Sequence, residues 1–424
     1  MALPGFDIQH FPAAADDDGL ADARTTAWNQ ATSAGFHDVA ASPERMRTTL
    51  DHVVRDGREY ISVYDAALPT GLDGLSVPVG TYASFTKSLN VGGGRMLDAH
   101  LITGVTVRPT HRRRGILREL ITNDLASASE AVALLTVSEA SIYRRFGFGK
   151  ATFTRTIRVD TGARFGLVTA PGGRVETVEA GWLREHLEAV FAAFHAATPG
   201  SLDRTSRYTD SVLGTEIGGS GPAPSTRAAV HLDDAGTIDG YVTYKAVGED
   251  SNRSLEVVDL VAATTDSYLG LWQFLGAVDL VNHVRWDLAP VDDPLTWALR
   301  DSRAITVESV DDVLWARILD PIAAFEARAY LATQADALVR VHDALGHADG
   351  LFRFTVRDGS ATVERVDSGD AALTLDVSAL GSLLLGSARP SVLAAAGEAM
   401  IDGDRAALDL LFAPLATPYC IAHF

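Results

Sequence analysis

Residues 103–118, T-G-V-T-V-R-P-T-H-R-R-R-G-I-L-R, limit the possible folds of this chain more than any other stretch. Val105 and Val107 alternate as in a strand, and Pro109 then removes a ladder donor and holds the preceding residue extended. A basic run leads to Gly115, after which Ile116, Leu117, Leu120, Ile121 and Leu125 fall on one face of a helix. Strand, tight turn and helix in this order leave unbonded N–H groups and the positive end of the helix dipole at the turn. Together these make an anion site. Gly115 lets the backbone approach a ligand with no Cβ in the way, and Arg112, Arg113 and Arg114 add charge able to pair with phosphate.

Neither of the common nucleotide-binding glycine patterns, G-x-G-x-x-G and G-x-x-x-x-G-K-[ST], occurs at this turn. The spacing resembles instead the R/Q-x-x-G-x-G/A signature of the GNAT acyltransferase superfamily. Arg112 and Gly115 fill the first two places, and Leu117 stands where the last residue is usually small.

A length of 424 residues allows two to four domains, at roughly 100–200 residues each. Residues 1–155 read as one α/β unit. Helices are expected at 20–34 and from Ser42–Pro43–Glu44, with Ser42 as cap, and strands at 60–66, 78–86, 100–108 and 131–137. A short helix around Tyr143 stops at Gly147. Residues 156–310 repeat a mixed order, with helices at 179–197 and 265–282, but carry no R-x-x-G after a strand. A duplicated, degenerate unit that has lost its cofactor is expected there. From 311 to 424 strands come first, including the hairpin turn Asp358–Gly359, and then helices at 378–385, 390–400 and 405–411, an α+β order resembling the sterol-carrier-protein fold.

The formal charge of −19 argues against nucleic acid and modestly for cationic ligands. One cysteine, Cys420, excludes an internal disulfide and a cysteine-based metal site, and the histidines show no ligand spacing, so no metal is expected. The first residues lack a basic leader with an apolar core, and no apolar run approaches the ~18 residues of a membrane span. A cytoplasmic protein is the expectation.

Three features coincide: V-x-V-x-P-T-H-R-R-R-G, then S-E-x-x-I-Y-x-R-F-G-F-G over 138–149, then a sterol-carrier-like tail ending in an aromatic residue. Together they resemble the Eis (enhanced intracellular survival) family of GNAT acetyltransferases. The resemblance implies tandem GNAT folds, the first active and the second degenerate, followed by the sterol-carrier-like domain, in a homohexamer. It implies acetyl-CoA as donor and primary amines of small polycations such as aminoglycosides as acceptors, with lysine side chains as a second class. By resemblance, the backbone of Val105, Thr106 and Val107 pairs with the pantetheine arm like an added strand. The segment Arg113, Arg114, Gly115, Ile116, Leu117 and Arg118 wraps the pyrophosphate, Ser138 and Glu139 flank the cofactor's other side, Tyr143 is the general acid, and the carboxylate of Phe424 is the general base.

The residues agree with that chemistry. Residues 103–108 contain no carboxylate, so a base must come from elsewhere; an α-carboxylate with a pKa near ~3.5 serves by orienting an ammonium and relaying its proton. The N–H of Val107 is a candidate oxyanion donor. Tyr419, Ile421 and Phe424 are too apolar for a free tail, and His111 is expected to cap the helix or position the turn rather than to act in catalysis. His423 stands where an acidic residue would help hold a polyamine; Asp16, Asp17, Asp18 and Asp38 are candidate cation contacts. A second reading, from another class, is a lipid- or small-molecule-binding scaffold with a vestigial acetyltransferase domain, which requires an open apolar tunnel in the last domain.

Overall fold

The run V-A-L-L-T at Val132–Thr136 is too apolar for a strand with a wet face, and its first four side chains are indeed buried. It lies within the first of three sheets in a computed structural model that describes residues 3–39, 42–68, 77–137, 139–214, 225–248 and 253–424. That sheet takes β1 (Phe6–Pro12), β2 (Glu59–Asp65), β3 (Gly80–Asn90), β4 (Met96–Val107), β5 (Val132–Thr136) and β6 (Gly149–Lys150) from the first segment. β1 was not expected from the sequence; it is a half-buried edge strand ending in proline, with only Phe11 fully buried.

Helix α1 (Ala23–Gly35) starts later than expected, because Asp22 accepts from the Thr25 amide and leaves residues 20–21 outside. α2 (Pro43–Arg55) is capped by Ser42 as expected. α3 (Ile116–Ser127) buries Ile116, Leu120, Ile121 and Leu125 against the sheet, and α4 (Ala140–Arg144) is a single short turn before Gly147.

The central sheet contains β7 (Phe153–Asp160), β8 (Arg174–Val178), β9 (Thr226–Leu232), β10 (Ile238–Val247), β11 (Ser254–Ala262), β12 (His283–Pro290) and β13 (Ile305–Asp312), in the order β13-β7-β12-β11-β10-β9-β8. The expected helix at 179–197 is divided into a 3-10 segment, Ala180–Glu185, and α5 (Leu187–Ala197). Helix α6 (Tyr208–Leu213) precedes β9. The expected helix at 265–282 is α7 (Thr265–Gly276), which stops where Gly276 makes room for the Phe165 ring; a Cβ would lie 2.0 Å from it.

The limits expected at 155 and 310 both fall inside strands of this central sheet, β7 and β13. The next strand, β14 (Leu314–Ile318), returns to the first sheet and inserts between β5 and β6, with Leu314 opposite Thr136 and Ile318 opposite Val132. Sheet membership therefore changes near 152 and again near 313.

The last sheet holds β15 (Gln334–His342), β16 (Gly350–Arg357), β17 (Ser360–Val366), β18 (Leu373–Asp376) and β19 (Ala399–Ile401). Asp358 and Gly359, at φ 48° and 74°, make the tight turn between β16 and β17. The helix expected at 390–400 ends at Ala395, because Ala399–Ile401 pairs with β18. Phe325, Phe354 and Phe412 pack edge-to-face at centroid distances of 5.3–6.0 Å, all buried in the interior of this domain. One continuous buried cluster joins this domain to Leu101, Val132 and Leu134 of the first sheet.

Candidate active site

β4 and β5 are parallel neighbours over only two residue pairs, His100–Ala133 and Leu101–Leu134. Beyond Leu101, β4 keeps its partner β3 but loses β5, so the sheet opens on one side of residues 102–107. The opening is widened by a bulge opposite Tyr82. Gly104 sits there at φ 60°, and a Cβ on it would meet the Trp28 ring at 2.4 Å. Its carbonyl is satisfied by the Thr81 hydroxyl at 2.8 Å. Arg108 donates to Val79 C=O at 2.8 Å, so by the alternation of an antiparallel ladder the N–H of Val107, opposite Gly80, faces away from β3 and into the gap.

After β4 the chain turns through a 3-10 segment, Pro109–His111, and enters α3 through Arg113 at φ 63° and Gly115 at φ 85°. Gly115 occupies the cap position without a side-chain cap, and the first helical bond closed there is Glu119 N–H to Gly115 C=O at 3.0 Å. The amides of Ile116, Leu117 and Arg118 therefore have no acceptor within the helix.

The turn is held to the end of β2. Asp65 accepts from Arg114 at 2.9 Å and pairs with His111 at 3.1 Å, while the Arg114 guanidinium lies 4.5 Å from the Phe6 ring. The Ala67 amide, with Arg114 and His111, holds the Asp65 carboxyl below the usual carboxylate range. Through Asp65, both His111 and Arg114 tie the turn to the end of β2.

Across the gap, α4 carries Tyr143 edge-on to Phe148 at 6.1 Å. Burial, and then the negative charge of Glu139, push its hydroxyl up to about 12, and among the described residues no hydrogen bond reaches it. Ser138 lies outside the described residues. The C-terminal segment arrives from the last domain. Tyr419 donates its amide to Pro199 C=O at 2.8 Å, Tyr208 bonds the Ile421 carbonyl, and Cys420, Ile421 and Ala422 are buried. Phe424 stops beside the end of β5, where Thr136 donates to its oxygen at 3.4 Å and the Phe85 ring stands edge-on at 5.8 Å.

These elements enclose a cavity of about 790 Å³. Of the residues expected at the site, Val105, Thr106, Val107, Arg112, Arg113, Gly115, Ile116, Leu117, Arg118, Glu139, Tyr143 and Phe424 line it; Arg114 does not. Neither Asp16, Asp17, Asp18 and Asp38 nor the exposed His423 is in the lining, and Asp16 instead caps its own loop through the Asp18 and Leu20 amides.

Sequence reasoning missed the opposite wall. Trp28 stacks on Tyr60 at 3.9 Å and 7°, anchored by its indole N–H to Ile61 C=O at 3.1 Å; Phe36, Arg58 and Arg207 complete that side. The alternation at 60–66 could have marked Tyr60 as an inward residue, but nothing local marks Arg207, which comes from the central segment. Among the described residues the lining side chains carry six positive charges (Arg58, Arg112, Arg113, Arg118, Arg145, Arg207) against the single negative Glu139. No group of three or more metal-binding side chains occurs among the described residues, and no helix there is long and apolar enough to cross a membrane.

Family comparisons agree with this geometry. Residues 19–151 and 200–318 each match a model described as an acetyltransferase (GNAT) domain, and 322–421 match a sterol carrier protein domain. A Streptomyces avermitilis protein described as an uncharacterized N-acetyltransferase is 32% identical over 416 residues, covering 95% of this chain and 96% of its own. N-acetyltransferase Eis of Mycobacterium tuberculosis (strain CDC 1551 / Oshkosh) is 33% identical over 319 residues, 73% of this chain and 76% of its own. The crystal structure of Eis1 from Mycobacterium abscessus superposes with a TM-score of 0.80 at 29% identity, covering 99% of this chain and 100% of that one. Two GNAT folds in tandem, a sterol-carrier-like third domain and this degree of identity make the chain a member of the Eis family of GNAT N-acetyltransferases.

Proposed function

We propose that the chain transfers the acetyl group of acetyl-CoA to a primary amine that enters between Trp28 and Phe424. The observation that carries the reading is a single cavity joining the uncapped start of α3, the opened edge of β4, the Tyr143 hydroxyl and the last residue. Free amides at Ile116–Arg118, with Arg112 and Arg113, suit the diphosphate. The free edge of residues 105–107 suits the amide-bearing pantetheine arm, and the Val107 N–H suits the thioester oxygen as negative charge develops on it.

In the transfer, the amine nitrogen forms a bond to the acetyl carbon and the carbon–sulfur bond breaks. The proton lost by the ammonium and the second proton lost from nitrogen as the amide forms pass through water oriented by the Phe424 carboxylate, one to solvent and one to restore the Tyr143 hydroxyl; a carboxylate near pKa ~3.5 is too weak a base to keep either. Tyr143, protonated at neutral pH, donates to the departing sulfur. Of the acceptors implied by the family, a singly charged amine such as a lysine side chain meets less repulsion from the lining arginines than an aminoglycoside does. The homohexamer and the cytoplasm belong to the same reading.

Release of CoA thiol in the presence of a broad amine panel tests it. Release that depends on acceptor concentration supports the transferase, and acetyl-CoA binding without release for any amine would refute it. The buried aromatic cluster of the last domain favours packing and tail placement over lipid carriage as that domain's role.

A further inference from the structure

Two arms make up the cavity. One is the lining from α3 and the open edge of β4, the other the lining from α1, α2 and the start of β2, and Phe424 also lines the cavity. In the second arm the only charged side chains among the described lining residues are Arg58 and Arg207.

Arg58 shares the one carboxylate of Asp56 with Lys87, and Arg207 has no ion pair among the described residues. The nearest carboxylate to Arg58 is Asp56, 3.5 Å away, and the other oxygen of Asp56 is already taken by Lys87 at 3.1 Å and by the Ser206 amide and hydroxyl at 2.9 Å each. The Nε of Arg58 is buried without a hydrogen-bond partner. Its guanidinium lies 4.5 Å from the Phe85 ring, the same ring that meets Phe424. Arg207 follows Ser206 directly, is exposed to the cavity, and has no ion pair among the described residues.

We propose that the acceptor is a zwitterionic amine, whose amino group is acetylated beside Phe424 while its own carboxylate is held by Arg58 and Arg207. The inference rests on the acetyltransferase reading and narrows its substrate class. A guanidinium fork matches a planar carboxylate, and the Trp28–Tyr60 stack offers a flat apolar wall for the body between the two ends. The Phe85 ring meets both the Arg58 guanidinium at 4.5 Å and the Phe424 ring at 5.8 Å, so a positive side chain and the negative terminus flank one ring, the reverse of a zwitterion's two charges. A second ammonium in place of the carboxylate would face two guanidinium groups, with no carboxylate side chain among the described lining residues of that arm, which disfavours diamines and aminoglycosides.

The test compares ω-amino carboxylates, from glycine to 6-aminohexanoate, with α,ω-diamines of matching lengths, by thiol release and by calorimetric binding in the presence of CoA. The best amino carboxylate is expected to exceed the best diamine by about tenfold or more in kcat/KM, and Arg207→Glu to invert that order. Arg58→Gln should weaken amino carboxylate binding by about tenfold; because Arg207 is exposed, its variant keeps the test independent of folding. A wild-type preference for diamines, or an Arg207→Glu protein with unchanged preference and binding, would overturn the proposal. If the binding contrast holds but no amine releases thiol, the transferase reading fails and the carboxylate site stands. If thiol is released without the contrast, the carboxylate site alone fails.

Discussion

Helix α3 leaves its strand through Gly115 with no side-chain cap, whereas α7, the corresponding helix of the central sheet, begins at Thr264 with a full capping box. The Thr264 hydroxyl accepts from the Ser267 amide at 3.1 Å, and the Ser267 hydroxyl accepts from the Thr264 amide at 3.1 Å. Arg112 and Arg113 flank the first helix start in the cavity lining, while Asp266 stands in the first turn of the second and Asp239 bonds Thr264. Both sheets part in a similar way, since β11 and β12 are parallel for only three residue pairs. There, however, Tyr419 bonds the Leu288 carbonyl of β12 beyond the last of those pairs. The same fold thus leaves one helix start without a side-chain cap and closes the other with its own side chains. An anion site depends on what is left unbonded, and the fold alone does not create it.

The comparison breaks most severely if α3 is given the cap that α7 already has. Gly115→Asp places a carboxylate at the cap, at a φ of 85° that costs an L-residue some strain, so the variant's melting temperature is measured alongside. It should weaken acetyl-CoA binding by about 100-fold or more, through blocked amides and like charge. Calorimetry reporting less than a threefold change would mean that the diphosphate does not sit there.

Next in size is Tyr143→Phe, expected to lower kcat by about 100-fold while acetyl-CoA affinity stays within about threefold. An equal loss in both would make the phenol structural. Because the folded hydroxyl is held at about 12, above its ordinary 10.0, its stabilisation is complete below pH 10 and is lost as pH rises from there through about 12. A kcat profile should accordingly show no alkaline limb from this group below pH 10. A limb near pH 8 that disappears in Tyr143→Phe would contradict that assignment.

Adding two glycines beyond Phe424 moves the terminal carboxylate and should cost about tenfold or more in turnover, with little change in melting temperature. Full turnover in the extended chain would remove the carboxylate from the chemistry. The smallest effect sharpens the contrast from the other side. Thr264→Ala with Ser267→Ala removes the α7 capping box and should destabilise the protein by about 1 kcal/mol without altering acetyl-CoA affinity. A loss of affinity there would show that the central sheet binds the nucleotide after all.

What could be read from the sequence was local. Ser42 as a cap, Asp358–Gly359 as a turn, and the strand, proline, glycine and helix order at 103–118 each depend on residues within a few positions of one another, and each is found in the fold. The bulge at Gly104 was written in the same stretch but needed Trp28 beside it to be seen. The strand character of Leu314–Ile318 says nothing about which sheet it joins, and its partners in β5 lie about 180 positions away. The same limit hid the pairing of Arg114 with Asp65 and the arrival of Arg207 in the first cavity.

By itself, then, the sequence determined most of the elements, the Ser42 cap and the strand–turn–helix order at 103–118, because dihedral preferences and helix-end amides act over a few residues. Tertiary structure decided which arginines face the cavity, where β14 inserts and where the tail ends. Those outcomes depend on burying apolar surface between distant segments, and that burial has no local signature.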